Sequence, residues 1–305
     1  MEKLSFPSPV EEFFFDGRNY FLKRDDRIHP DFSGNKARKF HYWLRRELPG
    51  ISRLVSYGSA QSNALYSLSV LAKMRGWEMV YFVEHIPELL RRAPAGNYRR
   101  ALENGVRFVV RPGRGEALGK AAREYARDVG ALFVEEGGRQ REAEEGIALL
   151  AAEIRHWKRE RELDRLTLFL PSGTGTTALY LGKHLAGDAE VLTTPCVGDA
   201  DYLRRQFSLL ERDRRHWPRI LETERRYRFG RLYREFYEIW LELRDHGVEF
   251  DFLYDPKGWL VLREAASRIG GPILYLHQGG LPGNESMLPR YRRKFPEMTE
   301  RWRES

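Results

Sequence analysis

Leu166-Thr167-Leu168-Phe169-Leu170-Pro171-Ser172-Gly173-Thr174-Gly175-Thr176-Thr177 runs from an apolar, strand-like segment into a glycine-rich turn, and a helix from Ala178 to Leu185 follows it. Strand, short turn and helix in succession make the building unit of a parallel sheet. Gly173 and Gly175 let the backbone wrap closely around a ligand, and the amides and hydroxyls at the helix start form a cup for an anion. Gly173 to Ala178 formally fits the dinucleotide pattern G-x-G-x-x-A, but it opens the second half of the chain and no ribose-binding acid closes the next strand. The lysine-serine pair of a nucleoside triphosphate loop is absent. A monophosphate fits best, with a plain tight turn as the alternative.

The same alternation extends outward on both sides. Phe13-Phe14-Phe15 and Tyr20 to Arg24 flank the turn Asp16-Gly17-Arg18-Asn19 and read as two short strands. Asn35 to Leu48 places Phe40, Trp43, Leu44 and Leu48 at helical spacing, and Pro49-Gly50 ends it. Strand-like runs then recur at 53–57, 79–83, 106–110 and 131–134, separated by helices near 62–75, 95–104 and 116–129; a long helix spans 141–161. Such units predict an α/β fold with a parallel, doubly wound sheet. Arg159 to Arg165 is a charged candidate boundary. Beyond the glycine turn come Val191 to Thr194, a charged helical region over 201–245, and apolar runs at 250–254 and 273–277.

With 305 residues, 42% of them hydrophobic, the chain can fill sizeable cores. Its one cysteine, Cys196, has no internal partner, no basic start precedes an apolar leader, and no run approaches the roughly 18 apolar residues of a membrane span. A cytoplasmic protein with no membrane partner is expected. The net charge of +8 suits an anionic ligand or nucleic acid, yet the basic residues are interleaved with acids, as in Glu211-Arg212-Asp213-Arg214-Arg215. Phe229, Tyr233, Phe236 and Trp240 recur at three- or four-residue steps, which predicts a helix's core stripe rather than a stacking platform for nucleic acid.

Within Ser33-Gly34-Asn35-Lys36-Ala37-Arg38-Lys39, Lys36 sits just inside a helix start, where the positive end of the peptide dipoles and any burial lower its pKa. Such an amine can condense with an aldehyde; a solvated or ion-paired lysine is the plain alternative. Ser59-Ala60-Gln61-Ser62-Asn63 lies between a strand and a helix and offers short polar groups to a carboxylate or a ring hydroxyl, or else a simple helix cap. Together with the anion cup, these make three sites at strand ends, where open α/β sheets bind ligands. Glu135-Glu136 reads as ion-paired or solvated, and the scattered histidines predict no metal site.

These residues resemble the pyridoxal-phosphate-dependent family of 1-aminocyclopropane-1-carboxylate deaminase and D-cysteine desulfhydrase, in the fold type II (tryptophan synthase β-like) group. The resemblance runs through Phe21 to Asp26, Gly34 to Lys39, Gln61-Ser62-Asn63, Glu136-Gly137-Gly138, Ser172 to Thr177, Asp255-Pro256 and His277-Gln278-Gly279-Gly280. It implies pyridoxal 5'-phosphate held covalently by Lys36, its ring hydroxyl by Asn63 and its phosphate by Gly173, Thr174, Gly175, Thr176 and Thr177. It further implies Ser59, Gln61 and Ser62 at the substrate carboxylate, with Ser62 in proton transfer, and a homodimer. Residues 1–51 and 160–305 would form a large cofactor-binding domain and 52–159 a smaller, mobile one.

Family members follow Asp-Pro with a tyrosine, then an acid or threonine, then Gly-Lys. Here Asp255-Pro256 is followed by Lys257-Gly258-Trp259-Leu260-Val261, so the tyrosine and acid are expected to be missing, Trp259 takes their place against the substrate, and cyclopropane ring opening is not expected. Gln278 stands where desulfhydrases commonly carry threonine facing the pyridine nitrogen; a neutral partner there favours α-proton removal followed by elimination. The resulting expectation is a deaminase or lyase that converts a small amino acid to a 2-oxo acid and ammonia. Its alternatives are a racemase sharing the first proton transfer, and a basic nucleic-acid-binding protein.

Overall fold

A computed structural model describes residues 4–301. Ten strands form two sheets: β1 Val10–Phe15, β2 Arg18–Arg24, β3 Arg53–Tyr57, β4 Glu78–Val83, β5 Arg107–Val110, β6 Leu132–Phe133, β7 Thr167–Ser172, β8 Glu190–Pro195, β9 Arg219–Ile220 and β10 Ile273–His277. The larger sheet has the order β1-β2-β10-β7-β8-β9 and is parallel except for the β1–β2 hairpin; the smaller, β5-β4-β3-β6, is all parallel. The mostly parallel α/β architecture is the one expected.

Both faces of each sheet are covered, as the near-continuous apolar strands require. In the smaller sheet Leu54, Met79, Tyr81 and Val83 pack against helices Gly34–Arg45 and Asn63–Arg75, while Val55, Tyr57, Val80 and Phe82 pack against Leu118, Ala122 and Ala126 of Glu116–Asp128. The alternation follows from the period of two along a strand. In the larger sheet Leu168, Leu170, Leu274 and Leu276 meet the helices Ala143–Glu160 and Thr176–His184 on one side. Phe169, Leu192, Ile273 and Tyr275 face an aromatic core on the other. Helix Ala143–Glu160, expected with the smaller unit, thus packs onto the larger sheet.

Helix Gly34–Arg45 is anchored from both sides. Its apolar face, with Ala37, Phe40, Trp43 and Leu44, enters the smaller sheet's core. Opposite, the fully buried Arg38 guanidinium forks onto Asp25 at 2.8 Å and Glu153 at 2.6 Å, and Lys23 meets Glu153 at 2.7 Å. Gly146 lies so close that a Cβ there would stand 1.9 Å from the Arg38 carbonyl oxygen. This holds the helix that carries Lys36 rigidly against the end of β2.

The charged region over 201–245 is not one helical stretch: helices Ala200–Ser208 and Arg234–Asp245 are separated by a 3-10 turn, β9 and irregular chain. Phe236 and Trp240 are buried as a core stripe predicts, but Phe229 precedes the helix and is 44% exposed. Gly230, with a φ of 73°, turns the chain between Phe229 and the helix start. No helix among the described residues is long and apolar enough to cross a membrane.

Candidate active site

Parallel strands place their following loops on one edge. β7 ends at Ser172, beside Pro195 of β8, and β10 ends at His277, beside Arg24 of β2, so the turn Gly173–Gly175 and the segment Gln278–Gly280 open together. The loop after β3 faces them. Between these ends lies a cavity of about 510 Å³. Lys36, Ser59, Gln61, Ser62, Asn63, Gly173, Thr174, Gly175, Thr176, Thr177 and Gln278 all line it.

Lys36 is half-buried and lines the cavity. Burial brings its pKa down from 10.5 to about 8, against the opposing pull of the Asp251 carboxylate. One turn on, Lys39 is buried and donates to the Gly137 carbonyl at 3.0 Å; burial first, then the charges of Lys36 and Arg139, push its pKa well down. Gly137 in turn abuts Thr174, whose side chain would be 3.1 Å from a Cβ at 137. Lys39 therefore stands beside the glycine-threonine turn.

That turn is built for close approach. Gly175 has a φ of 72°, and a Cβ there would collide with the Phe207 ring at 2.5 Å. The first amides of helix Thr176–His184 have no acceptor within the helix. Thr177 Oγ1 is buried without a hydrogen-bond partner among the described residues, and Thr174 and Thr176 hydroxyls lie 3.1 Å apart. Buried unpaired donors at a helix start fit an anion.

Ser62 caps helix Asn63–Arg75, its Oγ accepting from Ala64 N at 3.0 Å. Asn63 Oδ1 accepts from Asn97 at 2.7 Å, and its Nδ2 donates to Asp251 at 3.4 Å with one N–H, leaving the other for a ligand. Gln278 is already committed: Nε2 donates to the Pro171 carbonyl at 2.7 Å and Oε1 accepts from Asn35 at 2.8 Å. Glu135 is ion-paired with Arg123 and accepts from Tyr57 at 2.8 Å, whereas Glu136 lines the cavity.

Trp259 departs from its expected place. It is 1% exposed in the aromatic core, stacked on Tyr275 at 4.4 Å and met edge-on by Phe15, Tyr20 and Phe250, and it does not line the cavity. The cavity instead receives Asp251, Tyr254 and Asp255. The tyrosine and acid sought after Pro256 precede it, in Asp251-Phe252-Leu253-Tyr254-Asp255-Pro256-Lys257. A pattern anchored on Asp251, with tyrosine three residues on, an acid next and lysine two further, locates them from sequence.

Asp251 Oδ1 accepts the amides of Leu253 at 2.8 Å and Tyr254 at 2.7 Å, which turns the chain into helix Asp255–Ala265. Burial raises the Asp251 pKa to about 6, held back by those amides, Asn63 and Lys36. Asp255 accepts from Tyr275 at 2.6 Å and from the Asp251 amide at 3.0 Å; burial and then the Asp251 charge push its pKa well up. No cluster of metal-ligating residues occurs among the described residues.

No family model and no curated protein matches the sequence. Solved structures do match the fold. An ACC deaminase homologue aligns at 21% identity and a TM-score of 0.78, covering 95% of this chain and 94% of its own. A hydrogen sulfide-producing enzyme from Fusobacterium nucleatum aligns at 14% identity and 0.71, covering 92% and 88%. A pyridoxal 5'-phosphate-dependent aspartate racemase aligns at 12% and 0.64, covering 90% of each. The chain has the α/β fold of the fold type II pyridoxal-phosphate enzymes.

Proposed function

We propose that the protein is a pyridoxal 5'-phosphate-dependent deaminase or lyase of a small amino acid, close in chemistry to 1-aminocyclopropane-1-carboxylate deaminase and D-cysteine desulfhydrase. The observation that carries this reading is Lys36: a lysine amine brought to a pKa of about 8 in a cavity that a glycine-threonine turn also lines. An amine so tuned is largely neutral in mildly alkaline solution and ready to react with an aldehyde.

The residues present fit the cofactor. Thr177 Oγ1, the open amides of the 173–177 turn and Lys39 would hold its phosphate, the second N–H of the Asn63 amide its ring hydroxyl, and Lys36 its aldehyde carbon. When bound, the cofactor supplies an electron sink for the carbon that loses its α-proton. Lys36 removes and returns that proton, Ser62 hands on a proton at its hydroxyl, and the 59–63 loop holds the substrate carboxylate. Gln278 is tied to Pro171 and Asn35, and Asp255, which also lines the cavity, would be the acid to share a proton with the ring nitrogen through the lone pairs that Tyr275 and the Asp251 amide leave open. Tyr254 and Asp255 also remove the ground for setting ring opening aside, so 1-aminocyclopropane-1-carboxylate joins the candidate substrates.

Cofactor uptake is expected to accelerate with pH to about 8 and level above it, since the neutral amine is the reactive form. Asp251→Asn, which removes the charge that raises this pKa, moves the inflection to lower pH. Stopped-flow absorbance across that range checks both; an inflection at the ordinary lysine value of 10.5 would show that the amine is not buried as described.

The decisive assay incubates the loaded protein with 1-aminocyclopropane-1-carboxylate and with both enantiomers of cysteine, serine, aspartate and O-phosphoserine, and measures 2-oxo acid and ammonia. Release of both in equal amount is expected for at least one substrate. Enantiomer formation without oxo acid would identify a racemase instead, and inertness toward every amino acid would overturn the reading.

A further inference from the structure

Among the described residues three basic side chains line the cavity: Lys36, Lys39 and Arg290. On the reading above, which this inference rests on, Lys36 is taken by the cofactor aldehyde and Lys39 stands beside the phosphate turn. Arg290 has no such task. It lies on helix Asn284–Lys294, whose leading residue Gly283 packs at Asn63: a Cβ there would be 3.3 Å from Asn63 Oδ1. Arg290 sits about two turns further along and lines the same cavity.

Its guanidinium is weakly engaged. Nη1 donates to the Met287 thioether at 3.1 Å and Nη2 to the Gly230 carbonyl at 3.5 Å, and no carboxylate among the described residues lies within ion-pair distance. Many arginines of this chain reach a carboxylate; those at 24, 38, 99, 123, 155 and 263 are examples. An arginine keeps its charge at every working pH, and its planar fork matches a carboxylate or phosphate with two parallel bonds. Beside Gly230, which meets Arg290, Phe229 lines the cavity with its ring 5.3 Å from that of Tyr254, an apolar surface along which a side chain can extend.

We propose that Arg290 receives an anionic group on the substrate's side chain, so that the preferred substrates are α-amino acids carrying a side-chain carboxylate or phosphate. The α-carboxylate still goes to the 59–63 loop. Arg290 thereby selects substrate and takes no part in the proton transfers.

The test titrates the cofactor-loaded protein with aspartate against asparagine and O-phosphoserine against serine, in both enantiomers, following the cofactor absorbance. Parent protein, Arg290→Lys and Arg290→Gln are compared after circular dichroism shows each folded. The acidic member of a pair is expected to bind about tenfold tighter in the parent. That preference should disappear in Arg290→Gln, survive in part in Arg290→Lys, and leave the neutral member's affinity unchanged. Preference for aspartate alone or phosphoserine alone tells a carboxylate from a phosphate. Equal binding of both members in the parent overturns the inference, as does equal weakening of both in Arg290→Gln, which would place the α-carboxylate at Arg290. If the parent takes up no cofactor, the proposed function fails and the same pairs are compared by thermal shift; stabilisation by the acidic member that Arg290→Gln abolishes supports the anion site, and its absence overturns it.

Discussion

Lys36→Ala is expected to lose the near-visible absorbance band that the parent develops with pyridoxal phosphate, and to show only the spectrum of free aldehyde. Oxo-acid release should fall roughly 1000-fold or more, because the same amine would bind the cofactor and carry the α-proton. The strongest competitor is Lys39, one turn away and also depressed in pKa by burial. Its amine already donates to the Gly137 carbonyl at 3.0 Å and is buried, so reaching a shared aldehyde would require breaking that bond and moving the 137 loop off Thr174. Borohydride reduction followed by peptide mass analysis separates the two. A reduced adduct on Lys36 in the parent, and none anywhere in Lys36→Ala, is the expected pair of results. Lys39→Ala should keep the adduct while needing more cofactor to saturate. An adduct on Lys39 in the parent would move the reactive amine and dismiss Lys36.

What could be read in the sequence was what depends on backbone patterns. The 173–177 turn is legible because its job is done by glycines, amides and hydroxyls at a strand end, and those residue types are constrained by chain geometry. Lys36 is legible because the helix start and its apolar stripe are local. Asp251, Tyr254 and Asp255 were hidden for a physical reason: Asp251 is spent on the amides of residues 253 and 254, so a run that looks like a strand is instead a tight lead into a helix. The Asp255-Pro256 pair is an ordinary helix start with proline in its first turn, and a pattern anchored on it falls four residues too far along, at Trp259. Trp259 comes one turn along that helix and fills the aromatic core against Tyr275 of β10. Lys39 and Arg290 could not be singled out among 52 basic residues until burial and the lack of a carboxylate partner set them apart.

Gly34→Ala should be more damaging than a one-carbon change suggests, and Gly17→Ala isolates why. Both glycines have left-handed backbone, φ 66° at Gly34 and 71° at Gly17, so alanine costs each about 1–2 kcal/mol in backbone strain. At Gly17 a Cβ meets nothing within 4 Å, and the cost should end there. At Gly34 it would stand 1.9 Å from the Gln278 carbonyl oxygen and 2.6 Å from its carbon, where the backbones of 34 and 279 cross in contact. That carbonyl also accepts the Asn35 amide at 3.1 Å, so neither strand end nor helix start can yield without breaking their link. Overpacking of this kind adds about 1–3 kcal/mol. Because Lys36 follows two residues later, displacement of the helix start also shifts the reactive amine relative to the 173–177 turn. Thermal melts should therefore rank parent above Gly17→Ala well above Gly34→Ala, and only Gly34→Ala should lose cofactor uptake. Equal melting of the two variants, with uptake intact in both, would mean that the crossing of Gly34 and Gly279 is not what holds Lys36 in place.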